Sequence, residues 1–490
     1  MTIHKTEDYL ISLINELRKS AKETEWVEFK HNNADPDEIG QQIASLSNSA
    51  ALCDKAYAYL VWGIQDKTHQ VVGTSFSFST AKVGNEELEH WLLKLLEPKI
   101  HFRFFEFKMD DLPIVLLEIP RAFHHPVCFK GEKLIKVGSY TKKLKDFPEK
   151  ERKLWHYFDN TPFENGISAE NLSNEEVLRL LDYPTYFELL NQPLPVNQSY
   201  ILDAFQADNM VTRSEVNKWN ISNLGAILFA RKISAFSSLK RKMIRIILYK
   251  NNDRTDTLKE YELEKGYANG FEELMKWINT ILPSHEVIEE PLRKSISLFP
   301  TLAVRELVAN AIIHQDFFIT GSAPMIEIFK NRMEITNPGK PLIEISRFLD
   351  SPPRSRNEAL ASFMRRIGIC EERGSGIDKV IQETEIYQLP APIFEAVENN
   401  TRVVLFVHKP MSKMDKHDRT LACYLHACLK YVSRDYMTNS SLRDRFGIEP
   451  QNSAIASRII KDTLNAELIR PYDSGTLSRK HIKYVPFWAQ

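Results

Sequence analysis

Within the first 30 positions the apolar residues change their period. In YLISLINELRKSAK they recur at helical spacing, and in EWVEFK, residues 25–30, they alternate with charges as in a half-buried strand. DPDEIGQQIASLSNSA then opens a helix, with Asp35 as N-cap and Pro36 in its first turn. Strands follow at YAYLVWGI, HFRFFEFKM and LPIVLLEIP, the last two joined by Asp110-Asp111 as a hairpin turn. LIKVGSYTKKL and the charged helix DFPEKERKLWHYF close the set. A chain that switches period this often is α/β, and 490 residues with 43% apolar content exceed a single core. Four segments are expected: 1–155, 156–285, 286–412 and 413–490.

The formal charge of −1 gives no overall attraction to nucleic acid or anionic membrane, so any such binding must come from local patches. Five cysteines without metal-ligand spacing suit a reducing compartment. No apolar run reaches signal-peptide length at the start or the roughly 20 residues of a membrane span. A cytoplasmic protein with no membrane partner is expected.

Three constellations carry chemistry. In the first, Val27 and Phe29 pack inward while Glu28 and Lys30 share the other strand face. Glu23 lies across a bend, and Asp66 ends the strand YAYLVWGIQD, which brings it near Glu28 if the two strands pair. Three carboxylates around one point suit Mg²⁺ or Mn²⁺ and phosphodiester cleavage; the alternative is solvated strand-end charge. Lys30, His31, Lys133, Lys136, Lys142, Lys143 and Lys145 would line one edge, to engage phosphates or simply to be solvated. Phe102, Phe104, Phe105 and Phe107 could stack bases, but their alternation with charge makes most of the stripe read as core.

The second is RELVANAIIHQDF, where Glu306, Asn310 and His314 fall one turn apart on one helical stripe. Glu and Asn at that spacing can orient a water and hold Mg²⁺ on a nucleotide's phosphates. NPG at 337–339 and ERGSGID at 372–378 supply Gly339, Gly374 and Gly376, which let backbone approach an adenine or a triphosphate. No GxxxxGK[ST] occurs. The third is the tail from Lys413, with 13 Lys/Arg against 8 Asp/Glu. Three helices, RTLACYLHACLKYVS, NSSLRDRFG and SAIASRIIKDTLNAELI, precede SRKHIKYVPFW as a β-wing, the layout of a winged helix. Ser453, Ser457, Arg458 and Lys461 would face DNA, with Arg479, Lys480 and Lys483 on the wing; the alternative is a module that docks protein.

ETEWVEFK, the helix with SLSNSA, VWGIQDKTHQVVGTSF and FHHPVCFKGEKLIKVGSYTKKL resemble, in order and over about 150 residues, the Alba-like domain of Schlafen proteins and many bacterial regulators. In nuclease-active Schlafen proteins a Glu, a second Glu five residues on and a later Asp form a metal-dependent ribonuclease site. Glu23, Glu28 and Asp66 match those positions, which implies Mn²⁺ or Mg²⁺ there. NSAALCDKAYAY replaces that family's Asn-Thr-Gly-Gly turn.

RELVANAIIHQDF, NPG and ERGSGID resemble, over about 110 residues, the GHKL ATPase fold in the form found C-terminal to Schlafen-type domains in RecG-like proteins. That resemblance implies ATP with Mg²⁺ at Glu306, Asn310, Asn337, Gly339, Gly374 and Gly376, with Asn310 on the metal. Asn337 stands where the family has an adenine-binding Asp. The C-terminal helices, with their VPFWA ending, are similar to the same bacterial proteins. The expected chain is thus an α/β multidomain protein: a Schlafen/Alba-like α+β domain, a GHKL-like α/β sandwich and a C-terminal winged helix. Its expected function is that of an ATP-responsive, homo-oligomeric regulator of transcription that binds DNA or RNA. The alternatives are a metal-dependent endoribonuclease acting on tRNA in antiviral defence, and an assembly scaffold with both sites degenerate.

Overall fold

The computed structural model describes residues 6–19, 24–66, 68–123, 125–160, 162–214, 217–282, 284–289, 292–352, 354–370, 375–472 and 482–489. Glu23, Gly374, Arg479 and Lys480 lie outside the described residues. The chain divides into two compact units, residues 1–162 with 213–219, and residues 163–212 with 220–490.

The first unit is built on α1 (Glu7–Leu17), β1 (Val27–Lys30), α2 (Pro36–Leu52), β2 (Tyr57–Trp62), β3 (Arg103–Met109) and β4 (Leu112–Pro120). The four strands form one sheet in the order β1-β2-β4-β3, with β1 and β2 parallel and Glu28 opposite Leu60. Asp110 and Asp111, both at positive φ, make the β3–β4 turn, and the Asp35 side chain caps α2 by accepting from the Glu38 amide. One face of the sheet buries Phe29, Val61 and Leu116 against Leu13, Ile14 and Leu17 of α1. The opposite face buries Leu60, Trp62 and Leu117 against Ile39, Ile43 and Leu46 of α2. A sheet covered on both sides explains the unbroken apolar run of LPIVLLEIP. It also means that the second face of EWVEFK is not solvent. A hairpin of β5 (Glu132–Val137) and β6 (Tyr140–Lys143), then α3 (Pro148–Asn160), complete the frame.

The second unit holds β7 (Arg245–Tyr249), β8 (Thr257–Glu262), α4 (Tyr267–Ile281), α5 (Thr301–Ile313), β9 (Met325–Ile328) and β10 (Arg332–Pro338). These are followed by α6 (Glu358–Arg366), α7 (Gly376–Ile386), β11 (Ile393–Val397) and β12 (Asn400–Phe406). Six strands form one sheet in the order β8-β7-β9-β10-β12-β11. Two of them, β7 and β8, come from the stretch 156–285 that the sequence assigns to a linking region, and β7 pairs in parallel with β9. The sheet therefore begins well before position 286. α5 packs on α7 and on β10. Last come α8 (Lys416–Val432), α9 (Asn439–Phe446), α10 (Ser453–Asn465) and the antiparallel pair β13 (Ile469–Pro471) and β14 (Tyr484–Pro486). Their shared core includes Cys423, Leu442, Phe446, Ala456, Ile459 and Ile469. Gly447 ends α9 in the left-handed conformation. Among the described residues no helix is long and apolar enough to cross a membrane.

Candidate functional site

A cavity of about 250 Å³ opens in the second unit, walled by α5, α7, the ends of β10 and β12, and the segment that runs from Lys340 into α6. Glu306, Asn310, Asn337, Gly376 and Thr401 all line it. At one end Glu306 is buried on α5, one turn before Asn310. Gly376 begins α7 against both: a Cβ there would stand 2.9 Å from Glu306 Oε2 and 3.5 Å from Asn310 Nδ2. A side chain there would displace the Glu306 carboxylate from its present position. The start of α7, where the first N–H groups of a helix lack intrahelical partners, is thereby set beside the Glu306–Asn310 stripe.

At the other end Asn337 on β10 and Thr401 on β12 are cross-strand partners. Asn337 Nδ2 donates to the Pro338 carbonyl at 3.2 Å, so its side-chain oxygen remains to accept from a ligand. Thr401 Oγ1 donates to the Gly339 carbonyl at 2.7 Å. Gly339 has a φ of +106°, and a Cβ there would meet Arg356 Nη1 and Asp316 Cβ at 2.9 Å each. Four cationic side chains complete the lining: Lys340, Arg354, Arg356 and Arg365. Arg356 is braced, donating to the Lys340 carbonyl at 3.0 Å with Asp316 at 3.7 Å. Lys340, Arg354 and Arg365 make no ion pair among the described residues. Desolvation, then the Arg356 charge, hold the His314 imidazole below its usual range, although the residue keeps an exposed edge. Burial pushes the Cys370 thiol in the same wall up to about 11, which leaves it neutral and a poor nucleophile. Spacing does not single out the cations or Thr401, although SPPRSRN and Arg365-Arg366, set between two glycine motifs, are a legible basic signal.

The N-terminal carboxylates are arranged differently from expectation. Glu28 is buried, and its two oxygens are taken by ammonium groups: Lys136 Nζ lies 2.5 Å from Oε2 and Lys30 Nζ 2.9 Å from Oε1. Lys136, expected on a basic surface edge, is only 1% exposed and also donates to the Ser139 carbonyl at 3.3 Å. It cannot reach a phosphate without breaking a buried ion pair. Lys30 lies 3.3 Å from Glu38 as well. Burial would lower its pKa, but the two carboxylates outweigh it and hold the ammonium above its usual value.

Asp66 is exposed in the turn after β2. His69 of the same turn packs its ring on Phe29 at 4.8 Å, the residue that faces α1, whereas Glu28 points from the opposite face. Among the described residues no three His, Cys, Asp or Glu side chains form a group that could hold a metal. The metal site expected at Glu28 and Asp66 is not assembled by these residues, and Glu23 lies outside them. His31, Lys133, Lys142, Lys143 and Lys145 are exposed, with Lys143 paired to Glu132 and Lys133 at 3.7 Å from Glu151. Beside them Tyr140, a residue whose type gave no signal, is 69% exposed, with the Lys142 ammonium 5.6 Å from its ring. Phe102 and Phe107 are core.

On α10 the two faces separate cleanly. Ala456, Ile459, Ile460 and Thr463 are buried, while Ser453, Ser457, Arg458 and Lys461 are exposed. Asn439 of α9 ties the helix in place, donating to the Ser453 carbonyl at 3.1 Å and to Ser457 Oγ at 3.0 Å. Lys483 lies with its ammonium 4.4 Å from the Tyr436 ring centre.

Residues 23–145 match the family model SLFN_AlbA_2, described as Schlafen, AlbA_2. Residues 321–405 match HATPase_c_4, whose description reads "Putative ATP-dependent DNA helicase recG C-terminal". None of the curated proteins matches the chain. Among solved structures, the DIP2311 protein from Corynebacterium diphtheriae aligns at 16% identity over 97% of this chain and 96% of that one, with a TM-score of 0.42. The two family matches fall on the segments that hold β1–β6 and β9–β12, in the order the sequence leads one to expect.

Proposed function

We propose that this chain, which joins a Schlafen AlbA_2 domain to a RecG-C-terminal-like ATPase domain, is a nucleic-acid-binding regulator whose grip on DNA responds to ATP. The observation that carries the reading is the cavity of the second unit. One end offers a carboxylate and a carboxamide one helical turn apart, beside a helix start that Gly376 brings close to both. The other end offers an acceptor on Asn337 and a hydroxyl on Thr401, spaced across two strands. Lys340, Arg354, Arg365 and the braced Arg356 supply charge for a polyphosphate. These residues fit a nucleoside triphosphate: Asn337 would accept from the adenine amino group, and Asn310 and Glu306 would hold the Mg²⁺ that neutralises its phosphates. In this chain Asn337 does so without the charge of an Asp.

The nucleic-acid end of the reading rests on α8–α10 with β13 and β14, taken as a winged helix. The outward face of α10 carries Arg458 and Lys461 on a rigid helix, exposed to meet a groove. In the first unit Tyr140 and Lys142 pair an exposed ring with a cation, a combination suited to an unpaired base and its phosphate. Cleavage is the less supported alternative, because Glu28 already has two cations and, among the described residues, no carboxylate group that would share a metal with it. Incubation with tRNA and Mn²⁺ decides this: cutting that is lost in Glu28→Ala would reverse the preference for binding.

The nucleotide is tested by thermal unfolding. A ligand that binds only the folded state stabilises it by about 2.7 kcal/mol at 100 times its Kd. Mg-ATP should therefore raise the Tm of the wild-type chain, and Asn310→Ala should abolish that rise while unfolding like the ligand-free wild type. An equal shift in the variant would remove the nucleotide from this cavity.

A further inference from the structure

The helix α8 is gripped by both walls of the cavity. Tyr424 Oη donates to the Ser346 carbonyl at 3.0 Å and accepts from Trp488 Nε1 at 3.0 Å. Ser346 belongs to the segment 340–352, in which Lys340, Leu342, Ile343, Phe348 and Ser351 line the cavity. Its neighbour Arg347 lies over the Trp488 ring at 4.8 Å. The outer wall of the cavity is therefore fastened to α8 and to the C-terminal Trp488.

Two residues beyond Tyr424, about 200° around the helix, His426 is buried and faces a second fastening. Its Nδ1 lies 3.0 Å from Glu385 Oε2 and its Nε2 3.1 Å from Ser441 Oγ of α9. Arg445 of α9, also buried, approaches Glu385 Oε1 at 3.5 Å and donates to the Leu389 carbonyl at 2.6 Å. Glu385 stands in the last turn of α7, and Gly376, at the first turn, abuts Glu306 and Asn310. One rigid rod of about 14 Å thus has its first turn in the cavity and its last turn in the joint with α8 and α9.

That joint is incompletely satisfied. Among the described residues Arg445 Nε and Nη1 are buried without a hydrogen-bond partner, and one carboxylate serves both the imidazole and the guanidinium. A buried guanidinium that is ion-paired but leaves two nitrogens without hydrogen bonds calls for a reason, and a joint with a second arrangement available is a physical one. None of these contacts uses the exposed residues of α10, whose face stays open.

We infer that α7 and the segment 340–352 couple occupancy of the cavity by a nucleoside triphosphate to the setting of α8–α10, so that nucleotide and duplex DNA binding are thermodynamically linked. This rests on the nucleotide and DNA readings above and adds the route between them. Linkage of this kind changes affinity typically by about 5- to 150-fold, and reciprocally.

The test uses the full chain, a fluorescent duplex DNA and Mg-AMP-PNP. The ratio of DNA Kd values with and without nucleotide should be at least about fivefold in the wild type. Glu385→Gln and, separately, Tyr424→Phe should keep the nucleotide-free DNA Kd and the nucleotide-induced rise in Tm, while the ratio shrinks toward one. A merely structural role would move the individual affinities and leave the ratio. If either variant fails to fold, as read by circular dichroism, the other carries the test, with surface-placed Arg347→Ala as a third. A wild-type ratio of one, with both ligands bound, overturns the coupling and with it the ATP-responsive reading, while leaving the nucleotide and DNA sites themselves standing. A ratio unchanged in every folded variant overturns the route. Absence of any Tm rise with Mg-AMP-PNP in the wild type overturns the nucleotide reading, and the coupling falls with it.

Discussion

Asp378 stands in the first turn of α7, where the helix dipole favours a negative charge, yet its Oδ1 is buried without a hydrogen-bond partner among the described residues. Burial wins and pushes the carboxyl up to about 6 from an ordinary 3.8. A folded pKa above the unfolded one means that the protonated form carries the stability. It is present in full below 3.8 and lost as the pH rises through about 6. Asp378→Asn stays neutral throughout. Its Tm should match the wild type near the lower value and exceed it increasingly toward neutral pH; parallel Tm curves would show that the burial is not felt. Single residues also show what a sequence can disclose. Glu306 and Asn310 share a cavity because the helical period places them on one stripe. Lys136 misleads, because nothing in KLIKV says that α2 covers the face where Glu28 waits, and a lysine deep enough to pair with it looks like any surface lysine.

At the scale of elements, α10 is the clearest case of pattern becoming structure. Its apolar positions 456, 459, 460 and 463 fix one face, so Arg458 and Lys461 must take the other. If that face meets phosphates, Arg458→Ala with Lys461→Ala should weaken duplex binding. The slope of log K against log salt should then flatten by about one unit for each phosphate no longer neutralised. An unchanged slope would make α10 a protein-docking helix. The β3–β4 hairpin is legible for the same local reason, since Asp110 and Asp111 tolerate positive φ. The start of α6 is not. Asn357 supplies no side-chain cap, and Glu164, almost 200 positions upstream, accepts from the Ala359 and Leu360 amides at 3.4 and 2.5 Å. A cap given from that distance leaves no trace in the local sequence. Nor does KMIRIILYK disclose that β7 joins in parallel a strand some 80 positions on, because pairing partners are a tertiary choice.

For the whole molecule the question is whether two chemistries on one chain communicate. Glycine motifs, a Glu–Asn stripe and a basic tail each announce a ligand class, and each is visible without coordinates. What joins them, a cavity wall held by Tyr424 and a rod held at Glu385, consists of long-range contacts that no spacing rule reveals. The most direct measurement is fluorescence anisotropy of duplex DNA with the full chain, titrated at fixed salt with and without saturating Mg-AMP-PNP. A Kd that changes at least about fivefold on adding nucleotide is the expected result. The same Kd in both titrations, with nucleotide binding verified by the Tm rise, would contradict an ATP-responsive nucleic-acid regulator.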